Sequence, residues 1–399
     1  MNKSYWRTVS LITTWQIAAS ICYYSVFAAT PFFRDTFGLS RFWVGIVVTT
    51  LTLGYAVFLL PLGALVDRFG ERLTLTLGLV GLAAGTALVA GAPTFSLLLV
   101  AVFLLGSLYG TAMPGTNKAV FDNIAPGKQN LAMGIKQVGV TGGSGISALL
   151  VTGLAGVLFW QAGFLIAVGF ALLVAATFYV TYSGASAGET ADYPDFRALL
   201  SNRPYVLLTV AGLFLGAALF TTTGYTVLYV EESIGASVAY SGVVLALVQL
   251  FGSVGRVTTG WLSDTLPGDP QVRIGGILIV QTLAGAAMFV VVASTTTVLG
   301  ATVAFSALGF FVLGYTGIYY SVMATLVRAE EMGGASAGGQ LSLTSGALLA
   351  PPAFGYLADT VSYRASWLLL AGIVFLAAGL LVVVVRTSPS VANPAATDA

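Results

Sequence analysis

Gly63-Ala-Leu-Val-Asp67-Arg68-Phe-Gly70-Glu-Arg72 reads as the end of one apolar helix, a tight charged turn and the start of the next. A partial copy, Gly260-Trp-Leu-Ser-Asp264, follows 197 positions later. A charged hairpin that recurs at the same place in two halves of an apolar chain implies an internal duplication. Duplicated halves with a site between them are a recurring architecture of secondary transporters.

Composition sets the surroundings of that hairpin. A soluble chain of 399 residues would suggest two or three domains, but 57% of these residues are apolar and mean hydropathy is +0.93. Only 8% are charged, against about 25% in ordinary globular proteins. The 48 glycines suit closely packed membrane helices. An all-α, polytopic membrane protein is expected. A net charge of +1 suggests no nucleic-acid partner. The single cysteine, Cys22, cannot close an internal disulfide, and its apolar segment marks it as a buried, inert thiol. Histidine is absent, which removes Ser/His and Cys/His catalysis, histidine-ligated haem and most zinc sites. There is no Gly-x-x-x-x-Gly-Lys-Ser/Thr phosphate loop. No enzyme, metal or cofactor is expected, and no cleavable leader precedes the first long apolar run.

Apolar runs of about 20 residues, enough to cross ~30 Å of hydrocarbon, recur twelve times: 9–33, 42–66, 73–91, 96–124, 131–157, 161–182, 205–230, 240–263, 274–293, 298–322, 333–358 and 365–385. An even number puts both termini on one side. That side collects eleven Lys and Arg (Lys3, Arg7, Arg68, Arg72, Lys118, Lys128, Arg197, Arg203, Arg273, Arg328 and Arg386), against Arg34, Arg41 and Arg364 on the other. The bias marks the terminal side as cytoplasmic and the protein as a multi-pass component of the plasma membrane. The longest polar stretch, in 184–204, divides the chain into six-helix bundles at 1–183 and 205–387. Within it, Tyr193 to Ser201 suits a short interfacial helix or an ordered linker, and 388–399 reads as a disordered tail.

The pattern Gly63-x-x-x-Asp67-Arg68-x-Gly70-x-Arg72 between spans two and three, twelve spans and a six-plus-six division resemble the major facilitator superfamily. Gly255-Arg256-x-x-x-Gly260-x-Leu262-Ser-Asp264 resembles its second-half motif, with Thr265 where an arginine would follow. The resemblance implies two pseudo-symmetric bundles that rock by alternating access around a midplane site. It also implies a cytoplasmic gate of Gly63, Asp67, Arg68, Gly70, Arg72, Arg256, Gly260 and Asp264. In that gate Asp67 would meet the positive end of span eleven, Gly63 would let the helices touch, and Asp264 would meet the start of span five near Asn130. Arg256 takes a structural place in it. A Gly-Pro antiporter signature in span five and an arginine in span four are both missing: Ser144 follows Gly143, and Val102 precedes Phe-Leu-Leu-Gly106. Both departures argue against a typical proton-driven drug exporter.

No Asp or Glu falls in the middle of a span; Asp35, Asp122, Glu231, Glu232 and Asp359 fall near ends. The deep ionisable residues are Lys118, Lys136 and Arg256, all positive. Lys136 and Gln137 in span five are candidate substrate ligands, because a lysine inside a span costs ~2.5–3.5 kcal/mol unless it faces water or the interior. Snorkelling to the interface is the competing reading of Lys136. Polar residues in otherwise apolar spans include Gln16, Tyr24, Tyr55 and Gln249. The resemblance favours Tyr23, Tyr109, Tyr225, Tyr315 and Tyr319, on the spans that line the cavity in that family, and Gln340 is the span-eleven counterpart of Lys136 or Gln137. The expectation is a monomeric transporter of a small organic or inorganic anion, secondary active or facilitative, whose partners are its small-molecule substrate and the bilayer. An efflux carrier for hydrophobic compounds and a non-transporting receptor are the alternatives.

Overall fold

The computed structural model describes residues 3–125, 128–183, 196–328 and 331–387. Among these residues, eleven helices are long and apolar enough to cross a bilayer. Spans one to six are Lys3–Ala28, Arg41–Phe69, Glu71–Ala90, Phe95–Tyr109 continued by Ala112–Asn123, Gln129–Ala155 and Gln161–Thr181. Spans seven to nine are Arg203–Glu232, Val238–Thr265 and Pro270–Ser294. Span ten runs from Val298–Leu308 through a π-helical segment, Gly309–Leu313, into Tyr315–Ala324, and span twelve is Tyr363–Thr387.

Span eleven forms as two pieces, Met332–Gly346 and Ala350–Thr360. Prolines 351 and 352 lack the N–H groups that would bond the carbonyls of Ala347 and Leu348 four residues earlier. Thr49 Oγ1 of span two donates to both oxygens, at 3.1 Å each, so the break is satisfied from the other bundle. Span one is shorter than expected from hydropathy. It stops at Ala28, and Pro31 starts a separate helix, Thr30–Phe37, capped by Gly38 at φ 62. Of the polar stretch between the halves, a helix at Phe196–Ser201 is described, and 184–195, like the expected tail 388–399, lies outside the described residues.

The duplication is visible in the packing. Span one lies on five, two on four and three on six; seven lies on eleven, eight on ten and nine on twelve. Each pairing recurs six spans later, and the two bundles meet along five against eight and two against eleven. Spans one and seven run toward the same face, because Thr30 just past span one donates to the Gly224 carbonyl near the end of span seven. Tyr363, which opens span twelve, donates to Glu232, which ends span seven. Span one therefore starts where span twelve ends, here the terminal face; the other is the distal face.

At the distal face the bundles are in backbone contact. A Cβ on Gly45 of span two would stand 2.5 Å from the Pro351 carbonyl carbon, and one on Gly355 would strike the Arg41 carbonyl oxygen. Only glycine lets spans two and eleven approach this closely.

Candidate functional site: a cavity between the bundles

A cavity of about 340 Å³ lies between the bundles at mid-depth. Tyrosines make its first-bundle wall: Tyr23 stacks on Tyr109 with centroids 4.1 Å apart, Tyr24 meets Tyr23 edge-on at 5.1 Å, and Tyr55 leans on Tyr109 at 5.6 Å. Behind them Gln16 Nε2 donates to Ser20 Oγ (3.2 Å), and Ser20 shares a hydrogen bond with the Tyr109 hydroxyl (3.2 Å). Span eight supplies the facing wall with Gln249, Ser253 and Arg256. Ser253 Oγ crosses to Thr141 Oγ1 of span five at 2.6 Å. Tyr320 donates to Gln340 Oε1 at 2.8 Å, and Gln340 Nε2 donates to Thr344.

Arg256 is the cation on the wall, and no Asp or Glu is among the described lining residues. Its Nε donates to the Leu313 carbonyl at 3.1 Å. Leu313 closes the π-helical segment, where i→i+5 bonding displaces carbonyls from their usual partners. Gln281 Nε2 takes another of them, Phe310 O, at 3.2 Å. Arg256 is thereby anchored through one nitrogen and makes no ion pair among the described residues. Nearby, Gln249 Nε2 and the Tyr23 hydroxyl are buried without a partner.

The cavity opens toward the terminal face. Its wall reaches Gly134 near the start of span five and Val257 in the terminal-face half of span eight. The distal side is sealed by charge as well as by backbone contact. Glu232 pairs with Arg34 (2.7 Å) and Arg41 (2.9 Å) and accepts from the Tyr363 hydroxyl (2.6 Å). Asp359 caps the first N–H groups of span two.

Of the residues singled out in the sequence, Tyr23, Tyr109, Gln137, Gln340 and Arg256 line the cavity, together with Tyr24, Tyr55 and Gln249. Lys136 does not. It is 1% exposed and turned into the first bundle, where Nζ donates to Asn117 Oδ1 at 2.5 Å. Tyr225 belongs to the distal closure, donating to Arg41 O (2.6 Å) and Pro351 O (3.0 Å). Tyr315 donates to Leu215 O, and Tyr319 is buried beside Gly212 with its hydroxyl unpartnered. Tyr320, which the sequence did not mark, lines the cavity in their place. The π segment just before it rotates the rest of span ten relative to ordinary 3.6-residue counting.

The hairpin is tied within its own bundle. Gly70 turns the chain at φ 79, and Arg72 donates twice to Tyr179 O of span six (3.1 and 2.7 Å). Arg68 lies over the Phe69 ring at 5.3 Å. Glu71, within the motif, is fully buried and accepts from Asn123 Nδ2 (3.2 Å) and the Tyr182 hydroxyl (3.1 Å). Burial, and then the Glu71 carboxylate, push the Tyr182 phenol well above its ordinary pKa. Asp67 and Asp264 make no hydrogen bond or ion pair among the described residues. A Cβ on Gly63 would meet only Pro114, at 3.6 Å, and one on Gly260 would face open space.

Two matched bundles around a cavity walled by tyrosines and one arginine, sealed at one face, define a membrane transporter. The family model of the Major Facilitator Superfamily matches residues 13–339, and the chain belongs to that superfamily. It is 24% identical over 390 residues to the hexuronate transporter of Bacillus subtilis (strain 168), covering 93% of this chain and 92% of that one. It is 27% identical over 330 residues to monocarboxylate transporter 13 of Rattus norvegicus, covering 81% and 75%. Its fold matches a bacterial homologue of the human lysosomal transporter Spinster in an inward-facing, occupied conformation, with a TM-score of 0.84 and 16% identity, over 98% of this chain and 100% of that one. The chain is a multi-pass membrane transporter of small solutes and not an enzyme.

Proposed function

We propose that this transporter carries a small organic monoanion, a carboxylate, and holds it in the cavity between the bundles. The observation that carries the reading is Arg256: a guanidinium on the cavity wall, fixed through Nε, with no carboxylate among the described lining residues. A carboxylate suits the planar fork of an arginine, which offers two parallel donors. Gln137, Gln249 and the tyrosine hydroxyls would then bond the rest of the solute. Two relatives named for a hexuronate and for monocarboxylates agree with that chemistry.

The role expected of Lys136 passes to Arg256 in this reading, because Lys136 is spent on Asn117. The terminal face is the cytoplasmic one on the Lys and Arg bias, so the conformation described is inward-open, and the unmade contacts of Asp67 and Asp264 are a released cytoplasmic gate. The chain works as a monomer by alternating access in the plasma membrane. The aromatic wall of Tyr23, Tyr24, Tyr55, Tyr109 and Phe220 favours a second reading, efflux of hydrophobic compounds. Counterflow in proteoliposomes separates the two: Arg256→Gln weakens carboxylate exchange on the first reading and spares hydrophobic export on the second.

A further inference from the structure

A second hollow, of about 680 Å³, lies away from the solute cavity between spans eight and nine, with Phe310 and Phe311 of span ten at its floor. Its walls are apolar along the helix faces marked by Leu262, Val272, Gly276 and Val280. Val272 and Val280 are exposed on an i, i+8 stripe of span nine, which faces lipid in a membrane-spanning helix. Only the terminal-face end is charged. There Asp269 spends Oδ1 on the N–H groups of Gln271 (3.0 Å) and Val272 (3.1 Å). Arg273 donates Nη1 to the Leu266 carbonyl at 2.6 Å, which pins its guanidinium at the mouth. It makes no ion pair among the described residues, and its buried Nε has no partner.

We propose that this groove binds one anionic phospholipid, with an acyl chain along spans eight and nine and the phosphate on Arg273. From Arg273 to Val280 the groove follows span nine for about 10 Å at 1.5 Å per residue. That distance fits within the ~15 Å of hydrocarbon in one leaflet. The polarity runs as it does in a lipid, with charge at the interface and an apolar channel below. Asp269 keeps its charge, but the positive start of span nine offsets about half of it; with Arg273 the mouth is left net positive, so charge complementarity selects a headgroup with net negative charge over a zwitterionic one. The site shares no lining residue with the solute cavity and does not depend on what is transported.

The test is native mass spectrometry of the full chain extracted from vesicles of equal phosphatidylglycerol and phosphatidylcholine. The native chain is expected to retain one phosphatidylglycerol with a preference of about fivefold. Arg273→Gln should bring the preference to about one. Gly276→Leu should displace the lipid by filling the groove, since a Cβ at Gly276 meets nothing within 4 Å and the fold can take it. Lys128→Gln, a loss of charge at the same face of the other bundle, should leave retention unchanged. Equal retention of both lipids by the native chain overturns the proposal. So does a loss on Arg273→Gln with full retention on Gly276→Leu, which would put the lipid on the charge but outside the groove.

Discussion

Asp359, the carboxylate near the end of span eleven, caps Arg41, the first residue of span two: Oδ1 accepts the Arg41 N–H at 3.1 Å, and Oδ2 accepts the Phe42 N–H at 2.9 Å. The gate read from the sequence at the terminal face has the same form with the partners exchanged. There Asp67, near the end of span two, would meet the start of span eleven. A helix start carries about half a positive charge, so each carboxylate gains ~0.3–1 kcal/mol there, and up to ~2 kcal/mol when partly buried. The distal contact is made; among the described residues the terminal one is not. On this account the two exchange as the molecule turns from one face to the other.

Removing the distal cap should therefore open the distal side. Thr223→Cys on the cavity wall is a clean reporter, because the native Cys22 is fully buried. In that background Asp359→Ala should raise labelling by an impermeant maleimide applied at the distal face. A shift of 1–2 kcal/mol corresponds to roughly 5- to 30-fold in population. Unchanged labelling would count against the cap as a gate.

Asp67→Asn should act with the opposite sign. Weakening the terminal-face contact favours the conformation described here, so labelling of Thr223→Cys from the distal side should fall. A rise, or no change, would show that Asp67 has no part in holding the other conformation.

Closure at the distal face depends on Gly45. With a Cβ there only 2.5 Å from the Pro351 backbone, Gly45→Val should block the approach of spans two and eleven. Turnover should fall at least about tenfold while solute binding persists, since one arm of the cycle is lost. Gly169→Ala, where a Cβ meets nothing within 4 Å, should transport normally. Equal turnover in the two variants would contradict the account of the closure.

The hairpin is braced by Tyr182, which donates to the fully buried Glu71. Tyr182→Phe leaves Glu71 with Asn123 alone and should cost ~1–3 kcal/mol, read as a Tm lower by a few degrees. The phenol's folded-state pKa lies above its ordinary value of 10.0. Its stabilisation is therefore complete below pH 10 and fades as pH rises through the folded-state value. The native chain should lose thermal stability in that alkaline range, and Tyr182→Phe should lose less.

Hydropathy runs and the paired hairpins were enough to read twelve spans in two bundles, because lipid forces each apolar segment of that length into a helix. Interior detail was less legible. Hydropathy cannot tell which side of a helix faces the cavity, so Lys136 and Arg256 look alike in sequence although only Arg256 reaches the wall. The span-ten tyrosines were displaced because a π-helical segment breaks the 3.6-residue count between Leu308 and Tyr315. Span eleven was read as one run, 333–358, although Pro351 and Pro352 break it into two helices, and nothing in the sequence points to Thr49, which satisfies the break from the other bundle.

The most direct test of the central claim is counterflow in proteoliposomes with radiolabelled D-glucuronate and pyruvate, and with D-glucose as the uncharged comparison. The native chain should exchange at least one of the two carboxylates and not glucose. Loss of a buried charge partner costs ~2–5 kcal/mol, so Arg256→Gln should raise the half-saturating concentration at least about 30-fold, with Lys136→Gln close to native. Exchange by Arg256→Gln at native affinity, or exchange of glucose as readily as of a carboxylate, would contradict the account.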